Sequence, residues 1–293
     1  MRFFVRLLAA VVLSFGLIYS GPVFAWKSGK STETAVINGT KLKVYSYHPK
    51  SCANPSFLFV FHGLSRTADS YRDYAQPLAD RRCLIVYAPL FDLDRFPNWK
   101  YQRAGIVNNG VIQPRAQWTV WYVNGLVSWA RARESLPAAP YYLFGHSAGG
   151  QFMSRDAAFG LPAGKRLVVA NPSTYVLPSL AEAAPYGLGC LSSGCIYSAD
   201  QASQQLKAYL ALPLTIYLGE DDVGDENLAD SSAATRQGAT RLERGQFAFD
   251  LGQSVAIANG WPINWRLVIL PGVGHSAKDL LQSDQAEEAF GLK

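Results

Sequence analysis

Ser147 stands in Gly145-His146-Ser147-Ala148-Gly149, between the apolar run Tyr141-Tyr142-Leu143-Phe144 and the stretch Gln151-Phe152-Met153-Ser154-Arg155. The order predicted is strand, tight turn, helix. A serine on such a turn is lifted above the sheet, provided its neighbours are small, and Gly145, Gly149 and Gly150 meet that demand. The N-terminus of the following helix faces the serine and favours negative charge developing there. The chemistry implied is attack of a serine hydroxyl on a carbonyl.

A serine hydroxyl needs a base to take its proton and a carboxylate to orient that base. Two later predicted strands end in the required residues. Leu214 to Leu218 is followed by Gly219-Glu220-Asp221-Asp222, and Trp265 to Leu270 by Pro271-Gly272-Val273-Gly274-His275. His275 is the candidate base. Asp222 is the preferred acid, because the loop needs a few residues to turn back toward the histidine; Asp221 competes with it, followed by Glu220 and Asp225. An oxyanion requires two backbone N–H donors. Ala148, after the serine, supplies one. Leu64 in His62-Gly63-Leu64-Ser65 is the candidate for the other, with Ser65 as the alternative.

Side chains so far apart in the chain meet only if several elements bring them to one edge. Thr32 to Ile37 and Lys41 to Tyr47 alternate like strands, joined by the hairpin signal Asn38-Gly39. Phe57 to Phe61 and Cys83 to Ala88 are continuous apolar runs, the mark of strands covered on both faces. With the elbow strand, Arg166 to Ala170, Leu214 to Leu218 and Trp265 to Leu270, the strands number eight. Helices are expected at Asp69 to Asp80 (Pro77 disturbing its end), at Thr119 to Ser135, across most of Asn227 to Ala258, and at Ala277 to Phe290. Alternating strands and helices imply an α/β fold: an eight-stranded, mostly parallel sheet with helices on both faces. Residues 91–117 and 171–199 read as long loops, and Trp99, Tyr101 and Tyr175 within them as candidate substrate-stacking residues.

The first 25 residues read as an export signal, with basic Arg2 and Arg6, an apolar stretch from Leu7 to Ile18, and a cleavage site at Val23-Phe24-Ala25. One domain over 26–293 follows. The formal charge is +5 and falls to about +3 once Arg2 and Arg6 are removed, with no basic run, so nucleic-acid binding has no support. No other stretch approaches membrane-spanning length. All four cysteines lie after the leader, which suits disulfides in an oxidising compartment. Of three possible pairings, Cys52–Cys83 is favoured because each stands at the start of a predicted strand, which leaves Cys190–Cys195. Cysteine and histidine spacing offers no zinc site.

The motifs at His62-Gly63, Gly145 to Phe152, Asn171-Pro172-Ser173-Thr174-Tyr175, Gly219 to Asp222 and Pro271 to His275 together resemble the α/β-hydrolase branch of secreted polyhydroxybutyrate depolymerase-like and feruloyl esterase-like proteins. The resemblance spans about Val44 to Phe290. It implies a Ser147–Asp222–His275 triad without a cofactor, and the order of the three residues is that of the α/β-hydrolase fold. The branch includes poly(aspartic acid) hydrolases, so the substrate is expected to be a carboxylic ester, an oligomeric or polymeric ester, or the amide backbone of an acidic polymer. No linker or separate substrate-binding domain, of the kind extracellular polyester depolymerases often append, is expected within residues 26–293. A non-catalytic binding module on the same fold is the reading from another class.

Overall fold

The computed structural model describes residues 28–293, and the expected leader over 1–25 lies outside the described residues. Two antiparallel strands open the fold, β1 (Gly29–Ile37) and β2 (Thr40–His48). The turn between them puts Asn38 at φ 50° and Gly39 at φ 77°, the pair of positive angles a two-residue hairpin requires. Then come β3 (Ser56–Phe61), α1 (Ala68–Tyr74), α2 (Gln76–Arg82), β4 (Leu84–Pro89), α3 (Asn98–Tyr101), the small hairpin β5 (Val107–Asn108) and β6 (Val111–Ile112), and α4 (Trp121–Arg133). The second half runs β7 (Tyr141–His146), α5 (Ala148–Arg155), β8 (Arg166–Ala170), α6 (Ala199–Ala211), β9 (Leu214–Gly219), α7 (Ser232–Thr235), α8 (Arg241–Asn259), β10 (Arg266–Leu270), α9 (Ala277–Gln282) and α10 (Gln285–Phe290).

Eight strands form one sheet in the order β1-β2-β4-β3-β7-β8-β9-β10. Only the pairs β1–β2 and β2–β4 are antiparallel, so the fold class read from the sequence is the one observed. Alternation within the central strands feeds two cores. Phe57, Phe59 and Phe61 pack on one face with residues of α4, α5, α6 and α8, while Leu58 and Val60 pack on the other with α1, α2, α9 and α10. Each fully buried Leu or Phe contributes on the order of 2 kcal/mol relative to exposure, which explains why these runs carry no polar residue. Cys52 and Cys83 precede the adjacent parallel strands β3 and β4 and are bonded, with Cα atoms 5.3 Å apart; Cys190 and Cys195 are bonded across 4.3 Å.

Several boundaries differ from the sequence reading. The helix expected over Asp69 to Asp80 is two helices meeting at Ala75, and Pro77 lies in the first turn of the second, where its missing N–H costs nothing. The helix expected to close the chain breaks at Ser283-Asp284. Most of 220–240 is irregular, and the long helix begins only at Arg241, after Thr240 caps it by accepting from the Glu243 N–H. Residues 171–198 carry no helix or strand, yet much of the segment, including Val176 and Leu177, belongs to the core.

Candidate active site

The parallel strands deliver their carboxyl ends to one edge. Ser147 follows β7 there, and its backbone adopts φ 57°, ψ −115°. That conformation costs a non-glycine residue on the order of 1–3 kcal/mol and persists only where the surroundings enforce it. Enforcement comes from both sides: the Ser147 N–H donates to the Ala170 carbonyl at the end of β8, and the Ser147 carbonyl accepts from Gln151 N–H in α5. The first turn of α5 presses on β3. A Cβ on Gly149 would stand 2.1 Å from the Phe61 carbonyl oxygen, so only glycine lets the helix start so close to the strand that leads into His62-Gly63-Leu64.

Beyond β9 and β10 the two loops are stapled together. Glu220 N–H donates to the Leu270 carbonyl and Asp221 N–H to the Val273 carbonyl. The contact is close enough that a Cβ on Gly219 would lie 2.3 Å from the Val273 oxygen. Asn171, fully buried at the end of β8, bridges the pair: its amide donates to the Gly274 carbonyl, and its oxygen accepts from the Gly219 N–H. The result seats Asp222, 2% exposed, beneath His275, with Oδ2 2.6 Å from Nδ1. Of the four acids considered, Asp222 reaches the histidine; Glu220, Asp221 and Asp225 are exposed to solvent. The other Asp222 oxygen lies 3.3 Å from the guanidinium of Arg241, which is also buried. An Nδ1–H donated to the carboxylate leaves the His275 Nε2 lone pair for a proton acceptor's role.

Ser147 and His275 line one cleft of about 320 Å³, together with Gly63, Leu64, Tyr71, Tyr74, Asn227 and Lys278. Leu64 and Ala148, the residues expected to supply oxyanion N–H groups, sit where β3 and β7 end side by side; Ala148 is buried and Leu64 is partly exposed in the cleft wall. The loop carrying Leu64 is held through His62. Its Nδ1–H donates to the Gly63 carbonyl, its Nε2 accepts from the Phe91 N–H, and its carbonyl accepts from the Tyr101 hydroxyl. Both ring nitrogens are thereby committed to a neutral tautomer, and burial pushes the imidazole down to about 4. His146 is likewise buried and held well below its usual value, first by desolvation and then by His275 and Arg241 nearby. Its ring lies 4.5 Å from that of His275, and its Nδ1 is 2.9 Å from the Tyr71 hydroxyl.

None of Trp99, Tyr101 and Tyr175 is among the residues lining the cleft, and the expectation of substrate stacking is corrected for Tyr101 and Tyr175, which are buried. Tyr101 is fully buried, stacked on Phe91 and Phe152, with its hydroxyl spent on the His62 carbonyl. Tyr175 is buried with its backbone locked to the Gln237 side chain. Trp99 is half-buried with the Lys100 ammonium over its ring. In the same segment Arg95 pairs with Asp92, and Arg115 lies against Trp118 and Tyr197. The cleft walls come instead from α1, which supplies Tyr71 and Tyr74, from Asn227, and from the start of α9. Sequence periodicity marks α1 and α9 only as packing helices. Arg241 carried no signal, and Asn171 entered only as the first residue of a family motif with no role assigned, since both roles depend on contacts between distant segments. Among the described residues, no three His, Cys, Asp or Glu side chains cluster as a metal site requires, and no helix is long and apolar enough to cross a membrane.

No protein-family model matches the chain, and no curated protein matches it. Solved structures do. LpqC, a poly(3-hydroxybutyrate) depolymerase from Bordetella parapertussis, is 30% identical with a TM-score of 0.80, over 90% of this chain and 91% of that one. Poly(aspartic acid) hydrolase-1 from Sphingomonas sp. KT-1 is 32% identical with a TM-score of 0.81, over 91% of this chain and 100% of that one. S-formylglutathione hydrolase (FrmB) from Staphylococcus aureus, 13% identical with a TM-score of 0.52 over 90% of this chain and 98% of that one, shares the fold alone.

Proposed function

The chain belongs to the α/β-hydrolases, in the branch of poly(3-hydroxybutyrate) depolymerase-like and poly(aspartic acid) hydrolase-like enzymes, and from that premise we propose an exported serine hydrolase that cleaves carboxylic esters, oligomeric or polymeric ones included, through an acyl-enzyme at Ser147. The observation that carries the reading is the buried Asp222 carboxylate 2.6 Å from His275 Nδ1, with His275 and Ser147 lining the same cleft. In the proposed cycle His275 Nε2 takes the Ser147 proton as Oγ attacks the ester carbonyl. Leu64 and Ala148 N–H groups receive the oxyanion, aided by the N-terminus of α5. His275 then returns the proton to the departing alcohol, and water repeats the sequence on the acyl-enzyme. No cofactor enters any step.

Export is supported by the two disulfides, which suit an oxidising compartment, together with the leader-like composition of 1–25. The mature unit proposed is a single hydrolase domain over 26–293, with 91–117 and 171–199 as its long loops.

A second reading, cleavage of the amide backbone of an acidic polymer, is favoured by two observations. The structure of poly(aspartic acid) hydrolase-1 superimposes at a TM-score of 0.81, and Lys278 is the one lysine or arginine lining the cleft among the described residues. Values of kcat/KM for a hydroxyalkanoate oligomer, a neutral aryl ester and poly(aspartic acid), each with wild type and Lys278→Gln, separate the readings. The ester reading expects the neutral esters to lead and to be indifferent to Lys278. Poly(aspartic acid) leading, with a KM that rises several-fold in Lys278→Gln, would replace it.

A further inference from the structure

Arg241 is placed where a cation is doubly disfavoured. It is the first residue of α8, at the helix end that carries partial positive charge, and it is 2% exposed. A second buried guanidinium, Arg244, stands one turn on and adds repulsion. A buried cation persists only with compensation, and what surrounds Arg241 is specific. One terminal nitrogen lies 3.3 Å from Asp222 Oδ1 and 3.3 Å from the Gly224 carbonyl, and the other donates to the Glu226 carbonyl. Its contacts thus gather the acid and the two loop carbonyls that follow it.

We infer that Arg241 is a positioning residue for the acid–base pair: it neutralises the buried Asp222 carboxylate and fixes the plane in which Oδ2 faces His275. The inference rests on the triad reading above and deepens it. The two carboxylate oxygens are divided between two partners, Oδ1 to Arg241 and Oδ2 to His275 Nδ1. With Oδ1 unheld, rotation about the Cβ–Cγ bond would cost Asp222 little, and the imidazole would lose its fixed acceptor. The carboxylate would also be a buried charge with no permanent counter-charge, a costly arrangement inside a protein. Arg241 is not among the residues lining the cleft that holds Ser147. An effect on turnover through its bond to Asp222 depends on the acid, whereas an effect through the 224–226 carbonyls and neighbouring Asn227 would act on the cleft independently of it.

That difference is measurable by a double-mutant cycle on a neutral aryl ester, with Arg241→Gln, Asp222→Asn and the double variant, plus Ser147→Ala as the baseline. Arg241→Gln is expected to lower kcat by about 10- to 100-fold, the range for losing a charge-assisted hydrogen bond at a group that acts in the transition state. In the Asp222→Asn background the same substitution is expected to change kcat less than about threefold, because the charge it served is gone. Arg241→Lys, which keeps the cation, is expected to lose less than Arg241→Gln and to be equally silent in the Asp222→Asn background. Should Arg241→Gln fail to fold, the cycle is completed with Arg241→Lys and decided on the same criterion. Equal losses in both backgrounds, or full kcat in Arg241→Gln, overturn the inference while leaving the triad reading intact. Unchanged turnover in Ser147→Ala or Asp222→Asn would instead remove the triad reading itself.

Discussion

His62 ties a measurable acid sensitivity to the loop that carries Leu64. Its ring accepts from the Phe91 N–H and donates to the Gly63 carbonyl, so a second ring proton would be aimed at a donor inside a buried site. Burial lowers the folded-state value to about 4, against about 6.5 in the unfolded chain. A folded value below the unfolded one means that the unfolded chain takes up the proton first as pH falls. The stability held by the neutral ring is therefore complete above pH ~6.5 and is lost progressively between ~6.5 and ~4. Between pH 7 and pH 5 this single histidine accounts for a loss of about 2 kcal/mol. Carboxylates held below their usual range, such as Glu134 and Asp73, lose their contribution at lower pH and stay out of that window. The perturbation is His62→Gln, compared with wild type by urea unfolding at pH 7 and pH 5, followed by tryptophan fluorescence with the disulfides intact. The substitution's own cost at pH 7 cancels in the comparison. The variant is expected to lose about 2 kcal/mol less than wild type on acidification. Parallel losses in the two proteins would refute the neutral, doubly bonded His62.

Asp222→Asn is expected to lower kcat by about 10³- to 10⁴-fold with little change in the melting temperature, because the amide favours the wrong imidazole tautomer. Asp221→Asn, at an exposed position, is expected to stay within about threefold of wild type, its charge being screened by solvent. Steady-state kinetics beside thermal melts distinguish the two. Gly149→Ala would drive a methyl group into the Phe61 carbonyl, and the strand rather than a flexible side chain must yield. A cost of about 3 kcal/mol, or about 6–12 °C in Tm, is expected by calorimetry, with activity falling because the displaced strand leads to Leu64.

The central sheet was readable because strands covered on both faces are nearly continuous apolar runs. Phe57 to Phe61 is wholly apolar, and in Leu214 to Leu218 the buried Thr215 hydroxyl is satisfied by donating to the Ala289 carbonyl. The order in which Ser147, Asp222 and His275 follow their strands was readable for a related reason: parallel strands deliver their ends to one edge. Helix ends were less legible. The breaks at Ala75 and at Ser283-Asp284 interrupt otherwise continuous helical stretches, and local propensity barely registers them. The aromatic residues of the long loops misled because a tyrosine over the core and a tyrosine over a ligand look alike in sequence. Tyr101 and Tyr175 turned out to be interior, while Tyr71 and Tyr74, on a helix read only for packing, reach the cleft. Asn171 acts across 48 and 103 residues of sequence and Arg241 across 19, through hydrogen bonds that no periodicity encodes.

The most direct test of the account is covalent. A fluorophosphonate probe attacks a serine only where a base activates its hydroxyl and donors await the oxyanion, so incubation followed by peptide mapping reports the assembled site rather than the motif. A single adduct is expected, on the peptide containing Ser147, formed rapidly in wild type, slowed strongly in His275→Ala and absent in Ser147→Ala. No adduct in folded wild-type protein, or an adduct mapped to another serine, would contradict it.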